Sequence, residues 1–356
     1  MVSQVKPSFI RLETSTFCQL KCPSCETAQG ITQKKLGGGF LKFDDFKKLV
    51  DENPEVSHIE LSNWGEMFLN PDIVKIMEYA YQKNVALTAS NGVNLNTVKE
   101  PVLEALVKYK FRHMSCSVDG ISQETYQQYR VGGNFNRVLE NIKSINRYKE
   151  LYKSEFPQLR WQFVIFSHNE HELLEAKALA ESLNMQFHPK LSWDENIADL
   201  KNRDLVREML GAASRSEYRQ MYGTGYIQKY ICSQLWTSPQ INWNGEILGC
   251  CYNYWGSFGN AFESGLMNGL NSDKIAYARQ MLRGEAEPKE GIPCTTCSHY
   301  QHLQADQDWL TDRETYQPKR EKLAFTVGEV GLGRFIVWLS NRSKRVAKLY
   351  TKYFRH

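Results

Sequence analysis

No stretch of this chain approaches the ~20 consecutive apolar residues that a membrane-spanning helix needs. No apolar core follows Met1, so no secretory signal is read there. Charge of neither sign dominates. The net charge is +4 over 356 residues, which speaks against a dedicated nucleic-acid binder. Internal repeats and low-complexity segments are lacking. What remains is an ordinary globular composition, 42% hydrophobic and 24% charged, long enough for one large and one small domain. Without a secretory signal, the nine cysteines read as metal ligands in a reducing cytoplasm rather than as disulfides. Two further absences matter. No fourth cysteine lies near Cys18, Cys22 and Cys25, and none follows Cys297.

Residues 1–192 alternate β-rich runs with helical runs, the pattern of βα units around a parallel sheet. Strands are expected at 8–13, 57–61, 86–90, 113–118, 161–166 and 186–189. Helices are expected at 43–53, 71–83, 98–109, 123–129, 136–152 and 170–183. Right-handed crossovers would curl six such strands into a partial (β/α)6, TIM-like barrel of the α/β class. Barrels of this kind carry their chemistry on the loops after the strands. The cysteine triplet, Gly65-Glu66, Asn91-Gly92 and Asp119-Gly120 all fall in such loops. A helical linker is expected over 193–231. A small domain at 232–300 follows, with a β-hairpin turning at Asn244-Gly245 and a helix. A helical, basic and amphipathic tail is expected over 301–356.

Cys18, Cys22 and Cys25 read C-x3-C-x2-C. Three thiolates so close can hold three irons of a cubane [4Fe–4S] cluster, whose fourth iron is then left open for chemistry. Zinc is the alternative, although zinc pairs usually come as C-x2-C and no fourth ligand is local.

The spacing resembles that of the radical S-adenosylmethionine (SAM) enzymes. The resemblance implies that SAM's amino and carboxylate groups chelate the open iron. It extends to Trp64-Gly65-Glu66, where the family carries a Gly-Gly-Glu type motif that contacts SAM's amino group. Here Trp64 replaces the first glycine. Ser117-Val118-Asp119-Gly120 resembles the fourth-strand segment, where polar groups approach the ribose, and Asn91 is grouped with these cofactor contacts. Arg130 is a candidate partner for SAM's carboxylate, since a planar guanidinium suits it. Ser24 stands where the family often has an aromatic residue against the adenine.

Cys232, Cys250, Cys294 and Cys297 follow the layout C-x12-G-x4-C, a long gap, then C-x2-C, with Gly245 at the hairpin turn. This resembles the SPASM auxiliary-cluster domain in its shortened, twitch-like form, which implies one fully ligated [4Fe–4S] cluster. Zinc is again the alternative. Cys251 should be a buried bystander on the opposite face of a strand, and Cys116 a small core residue. His299 and His302 are read as supporting groups or exposed side chains. His188 and Lys190 share one face of the sixth strand and are candidate proton acceptors. Gly37-Gly38-Gly39 lacks a following Lys-Ser/Thr and reads as a flexible loop.

After Glu329 no acidic residue occurs. Val346, Leu349, Tyr350 and Tyr353 form a helical stripe among seven basic residues, and the rest of the chain is near −3. Such a helix could lie on an anionic membrane surface, dock on the protein itself or meet a partner.

The resemblance implies a cytoplasmic enzyme with SAM and two [4Fe–4S] clusters as cofactors. A one-electron donor such as flavodoxin or ferredoxin would reduce the first cluster. Cleavage of SAM would then give a 5′-deoxyadenosyl radical that abstracts hydrogen. With the auxiliary cluster as electron acceptor, the expected reaction is oxidation of a small polyhydroxylated substrate such as a sugar or cyclitol. Peptide maturation is the alternative; the seventeen residues before Cys18 are too few for a peptide-recognition module of the kind many such enzymes carry there. A non-enzymatic zinc adaptor is the alternative from another class.

Overall fold

The computed structural model describes residues 4–223, 225–315 and 332–353. Strand β1 (Phe9–Leu12) leads through α1 (Ile31–Leu36) and α2 (Phe43–Glu52) to β2 (His58–Glu60). Then come α3 (Ile73–Gln82), β3 (Ala86–Val93), α4 (Glu100–Lys108), β4 (His113–Ser117), α5 (Gln123–Tyr129) and α6 (Phe135–Leu151). The series closes with β5 (Gln158–Ile165), α7 (Leu173–Ser182) and β6 (Met185–Leu191). Local chemistry explains the helices. In α2, Asp44 and Asp45 meet the positive end of the helix dipole, while Phe46, Leu49 and Val50 make one buried face. Asn134 caps α6 by accepting from the Arg137 amide at 2.9 Å, and Ser122 caps α5 through the Thr125 amide at 3.1 Å.

The sheet is parallel and open, in the order β6-β5-β4-β3-β2-β1-β7, so the six expected strands stand in sequence. The seventh, β7 (Gln240–Ile241), was not foreseen as part of this sheet. It is the first arm of the expected hairpin, and it pairs in parallel with β1 at Arg11↔Gln240 and Leu12↔Ile241. Without it, the β1 edge would leave backbone groups unpaired; Glu13 N donates to Ile241 O at 2.9 Å. The hairpin is reduced to an antiparallel bridge, Ile241↔Ile247, with Asn242 N donating to Glu246 O at 2.8 Å. Gly245 turns it with φ 90°, a conformation that favours glycine.

Between β6 and β7 the chain is helical: α8 (Glu195–Ala198), α9 (Arg203–Leu210), α10 (Arg215–Tyr222) and α11 (Gln228–Thr237). After β7 come α12 (Ala261–Ser264), α13 (Leu266–Gly269), α14 (Asp273–Leu282), α15 (Ser298–Asp306) and α16 (Asp312–Thr315). One continuous apolar core joins these helices to the barrel.

The last helices, α17 (Leu332–Arg342) and α18 (Lys344–Tyr353), cover the N-terminal ends of the strands, opposite the cysteine loop. Arg334 donates to the carbonyls of Val50, Asn53 and Val56 at 2.7–2.9 Å. Tyr350 stacks on and hydrogen-bonds His58. The guanidinium of Arg112 sits over the rings of Phe156 and Tyr350. The buried face of α18 is Ala347 and Tyr350, whereas Leu349 of the expected stripe is 48% exposed. The Tyr353 side chain and Arg355 lie outside the described residues. Among the described residues, no helix is long and apolar enough to cross a membrane.

Candidate active site

The cysteine loop leaves the C-terminal end of β1 and is fastened to two neighbouring loops. The carboxylate of Glu13 accepts from the amides of Trp64 and Gly65 at 2.9 and 3.3 Å. The Glu66 amide donates to Phe17 O at 2.7 Å, and Lys21 N donates to Val131 O at 2.9 Å. Thr27 Oγ1 donates to Trp64 O at 2.7 Å. Gly65 is required by this closeness: a Cβ there would lie 2.8 Å from Phe17 O and nearer still to Ser15 O.

Around the first thiols the structure gathers nitrogen donors. Asn94 Nδ2 lies 3.7 Å from Cys18 Sγ, and Arg130 Nη1 lies 3.7 Å from Cys22 Sγ. Burial pushes the Cys18 thiol up to about 12 and raises that of Cys22, where Arg130 pulls the other way. Buried thiolates therefore need positive charge, and donors aimed at sulfur are what cluster ligands use. The donor set fits an iron–sulfur centre. Glu66, also buried and pushed up to about 7 by burial, accepts from Asn94 N, Asn94 Nδ2 and Phe68 N.

The expected SAM contacts divide into two groups. Gly65, Glu66 and Arg130 stand against the cysteine loop. Arg130 is committed within the protein, with Nε donating to Asp119 Oδ2 at 2.6 Å. The other oxygen of Asp119 accepts from Val164 N at 2.7 Å. Asn91 and Ser117 are joined by Gln162, whose Nε2 lies 3.3 Å from both Asn91 O and Ser117 Oγ. Asn91 Oδ1 also accepts from Arg11 Nη2 at 2.9 Å. Ser24 meets the hydroxyl of Tyr129, whose ring packs on Phe166 at 4.3 Å, so aromatic surface lies beside Ser24. Glu13, Asn94 and Gln162 were missed by sequence reasoning. Each is a lone polar residue whose role comes from a partner 45 to 76 positions away.

The second thiol set assembles from α11 (Cys232), the turn after β7 (Cys250) and the segment before α15 (Cys294, Cys297). Cys297 N donates to Cys294 O at 3.0 Å, which folds the C-x2-C pair into a tight turn. All nine cysteines are free thiols. Burial, then the charge of the neighbouring thiols, raises Cys232 and Cys250 well above the usual range; burial takes Cys294 to about 12. Among the described residues, no three His, Cys, Asp or Glu side chains converge on a single metal ion. A cubane needs no such convergence, because each thiolate sits on its own iron.

Two expectations change here, those for Cys251 and for the glycine run. Cys251 is only half-buried and lies in a turn rather than a strand; its amide donates to Gln234 Oε1 at 2.8 Å. Gly37-Gly38-Gly39 is close-packed: Gly39 lies against the Trp243 ring, and Trp243 Nε1 donates to Leu36 O at 3.2 Å. His299 is enclosed beside the Tyr252 ring at 4.5 Å and is pushed down to about 4 by burial, whereas His302 is exposed. Cys116 is fully buried.

The two thiol sets share one end of the barrel. Asn63 Nδ2 donates to Cys251 O at 3.0 Å, Tyr254 OH donates to Glu26 Oε1 at 2.8 Å, and Trp64 meets the Tyr254 ring edge-on at 5.3 Å.

Comparison with known proteins agrees with this layout. Residues 12–151 match the radical SAM superfamily, and residues 232–298 match the SPASM iron-sulfur cluster-binding domain. The AdoMet-dependent heme synthase of Methanosarcina barkeri is 26% identical over 180 residues, covering 50% of this chain and 48% of its own. The GTP 3′,8-cyclase of Clostridium botulinum is 24% identical over 144 residues, covering 39% and 43%. The chain thus spans about half or less of the length of these curated relatives. The crystal structure of Streptococcus suis SuiB bound to S-adenosylmethionine superposes with a TM-score of 0.57 at 16% identity, over 83% of this chain and 69% of that one. At that identity the likeness establishes the fold. Radical SAM domains bind SAM and a [4Fe–4S] cluster and SPASM domains bind auxiliary clusters, so the zinc alternative is set aside.

Proposed function

We propose a substrate-oxidising role for this chain, which belongs to the radical SAM superfamily and carries a SPASM domain. Cys18, Cys22 and Cys25 hold the SAM-binding cluster, with Gly65, Glu66, Asn91, Ser117, Asp119 and Arg130 around the nucleotide. Cys232, Cys250, Cys294 and Cys297 hold the auxiliary cluster. Reduced by a donor such as flavodoxin or ferredoxin, the SAM-loaded site supplies a 5′-deoxyadenosyl radical for hydrogen abstraction. The substrate is a small polyhydroxylated molecule, a sugar or cyclitol, and the net change is carbinol to ketone, with the auxiliary cluster accepting the electron.

The observation that supports this reading is the shared end of the barrel, where hydrogen bonds tie the loop of Cys18, Cys22 and Cys25 and the loop after β2 to the segment that carries Cys250 of the buried four-thiol set. Oxidising a carbinol also releases a proton. His188 faces the barrel, but burial, Arg160 and Lys190 push it down to about 4, which makes its imidazole a weak base at neutral pH and speaks against it as the acceptor of that proton. Its strand partner Gln162 fixes the face on which it stands.

The test is anaerobic incubation with reductant, SAM and deuterated candidates. Deuterium in 5′-deoxyadenosine from a sugar or cyclitol supports the proposal; transfer only from a peptide would replace it with peptide maturation. A second, separate reading concerns location. Lys344, Arg345, Lys348 and Leu349 are exposed on the outer face of α18, a composition suited to the anionic inner face of a membrane.

A further inference from the structure

The inward faces of β5 and β6 carry charge that the proposed reaction leaves unused. The two strands run in parallel register, with Gln162 beside His188 and Val164 beside Lys190. Gln162 reaches into the barrel towards Asn91 and Ser117, and Lys190 Nζ donates to its Oε1 at 3.1 Å, so Lys190 points the same way. At the end of β6, Arg215 is clamped in place. Its Nε donates to Ser192 O at 3.0 Å and its Nη2 to Leu191 O at 3.1 Å. Its guanidinium lies 3.6 Å from the centre of the Trp193 ring and 4.8 Å from that of Tyr226.

These cations lean on one another. Burial, then Arg215 and Arg160, brings Lys190 down to about 8; burial brings Arg215 down to about 10. Among the described residues, the two carboxylates that act on Lys190 and Arg215 have other partners. Asp119, which acts on Lys190, is paired with Arg130 at 2.6 Å, and Glu195, which acts on Arg215, accepts from the Ser216 amide at 2.7 Å. Cys251 also acts on Lys190. All of Arg160, His188, Lys190 and Arg215 keep some surface open, so a solute can reach them. Like charges brought together in a partly dry place disfavour their charged forms, and an anion bound among them removes the conflict.

We propose that Lys190 and Arg215, with Arg160 and His188 beside them, hold an anionic oxygen group of the substrate, a carboxylate or a phosphate. This inference rests on the small-molecule reading above and sharpens it: the substrate is a sugar or cyclitol that carries an acid or phosphate group, not a neutral one. The anionic end is anchored on β6, which leaves the hydroxylated end turned towards the cysteine loop.

The test uses the anaerobic, cluster-loaded protein and pyridoxal 5′-phosphate, with pyridoxal as the neutral counterpart. Either aldehyde forms an imine with a lysine amine, releasing water, and borohydride fixes it for peptide mapping. Lys190 should be labelled at least about tenfold faster by the phosphate form, the effect of one charge-assisted contact. Arg215→Gln should reduce that preference. Inorganic phosphate or glucuronate should slow the labelling and glucose should not; protection by phosphate alone identifies a phosphate ligand, and by glucuronate alone a carboxylate. Equal labelling by both aldehydes, no labelling at Lys190, or protection by glucose as strong as by the anions would overturn the assignment. Labelling needs no SAM cleavage, so failure of the radical reading shows separately, as absence of 5′-deoxyadenosine.

Discussion

Replacing Gly65 by alanine should disable SAM cleavage without emptying either cysteine set. A Cβ at this position would lie 2.7 Å from Ser15 C and 2.8 Å from Phe17 O, and closer still to Ser15 O. Ordinary carbon contacts need roughly 3.5 Å, so a shift of order 1 Å must be taken up by backbone on both sides. The neighbours are the base of the cysteine loop, held by Glu13 to the amides of Trp64 and Gly65, and the Glu66–Phe17 backbone bond. Overpacking of this kind costs about 1–3 kcal/mol of stability. A displacement of about 1 Å between the groups that orient a reacting molecule costs about 10²-fold in rate. The assay is 5′-deoxyadenosine formed per iron-loaded site, with iron and sulfide measured in parallel. Gly132→Ala is the control: nothing lies within 4 Å of a Cβ there, and only its φ of 86° opposes the change. That variant should lose about 1 kcal/mol through backbone strain and keep its cleavage rate. Wild-type cleavage in Gly65→Ala at full iron content would refute the view that this contact sets the geometry of the site.

Replacing Cys18, Cys22 and Cys25 together by alanine should abolish SAM cleavage while iron remains at the second set; cleavage at the wild-type rate would remove the assignment. Cys250→Ala should lose the auxiliary iron, and Cys251→Ala should lose little, with equal losses counting against the choice of ligand. Arg130→Met strands the fully buried carboxylate of Asp119 and should cost about 3–5 kcal/mol, read from the shift in denaturant midpoint. His188 takes up a proton near its ordinary value when unfolded but only near about 4 when folded. The unfolded chain therefore binds more protons between those values, and this share of stability is lost as pH falls from about 6.5 towards about 4. His188→Gln should lose less of its melting temperature than wild type between about pH 7 and about pH 5; an identical loss would deny His188 that role.

Much of the barrel was legible because each strand's apolar run is bounded by a turn and followed by a helix with one apolar face. The expected and observed helix at 123–129 coincide, since Ser122 caps it and Arg130 ends it. Strand β7 was not legible as a barrel strand: two residues give no periodicity, and what fixes them is the bare edge of β1, far away in sequence. The cysteine sets could be read because coordination imposes spacing that survives as a pattern. Arg130 could be picked out as a candidate partner for SAM's carboxylate, yet its bond to Asp119 depends on how the loop after β4 meets the end of α5. The charged wall on β6 was half visible. Alternation put His188 and Lys190 on one face, but only the approach of Arg215, from a helix whose register the barrel pattern does not set, makes that face a cluster.

The turn at Cys250-Cys251 links the two halves of the proposed chemistry. Cys250 lies among the buried thiols of the second set, whereas Cys251 is half-buried, bonds through its carbonyl to Asn63 at the end of β2 and acts electrostatically on Arg11 and Lys190 inside the barrel. One peptide unit thus spans from the auxiliary ligand set to the wall that would hold the substrate. A domain serving only as a structural staple could sit anywhere on the barrel surface. Here the hairpin adds a strand beside β1, Trp243 wedges onto the glycine run that follows the cysteine loop, and Tyr254 reaches Glu26 within it. Three contacts from one small segment fix the second set against the reacting end of the barrel. Such fixing matters when an electron must leave a substrate held nearby, and it adds nothing when the centre merely ties the fold together.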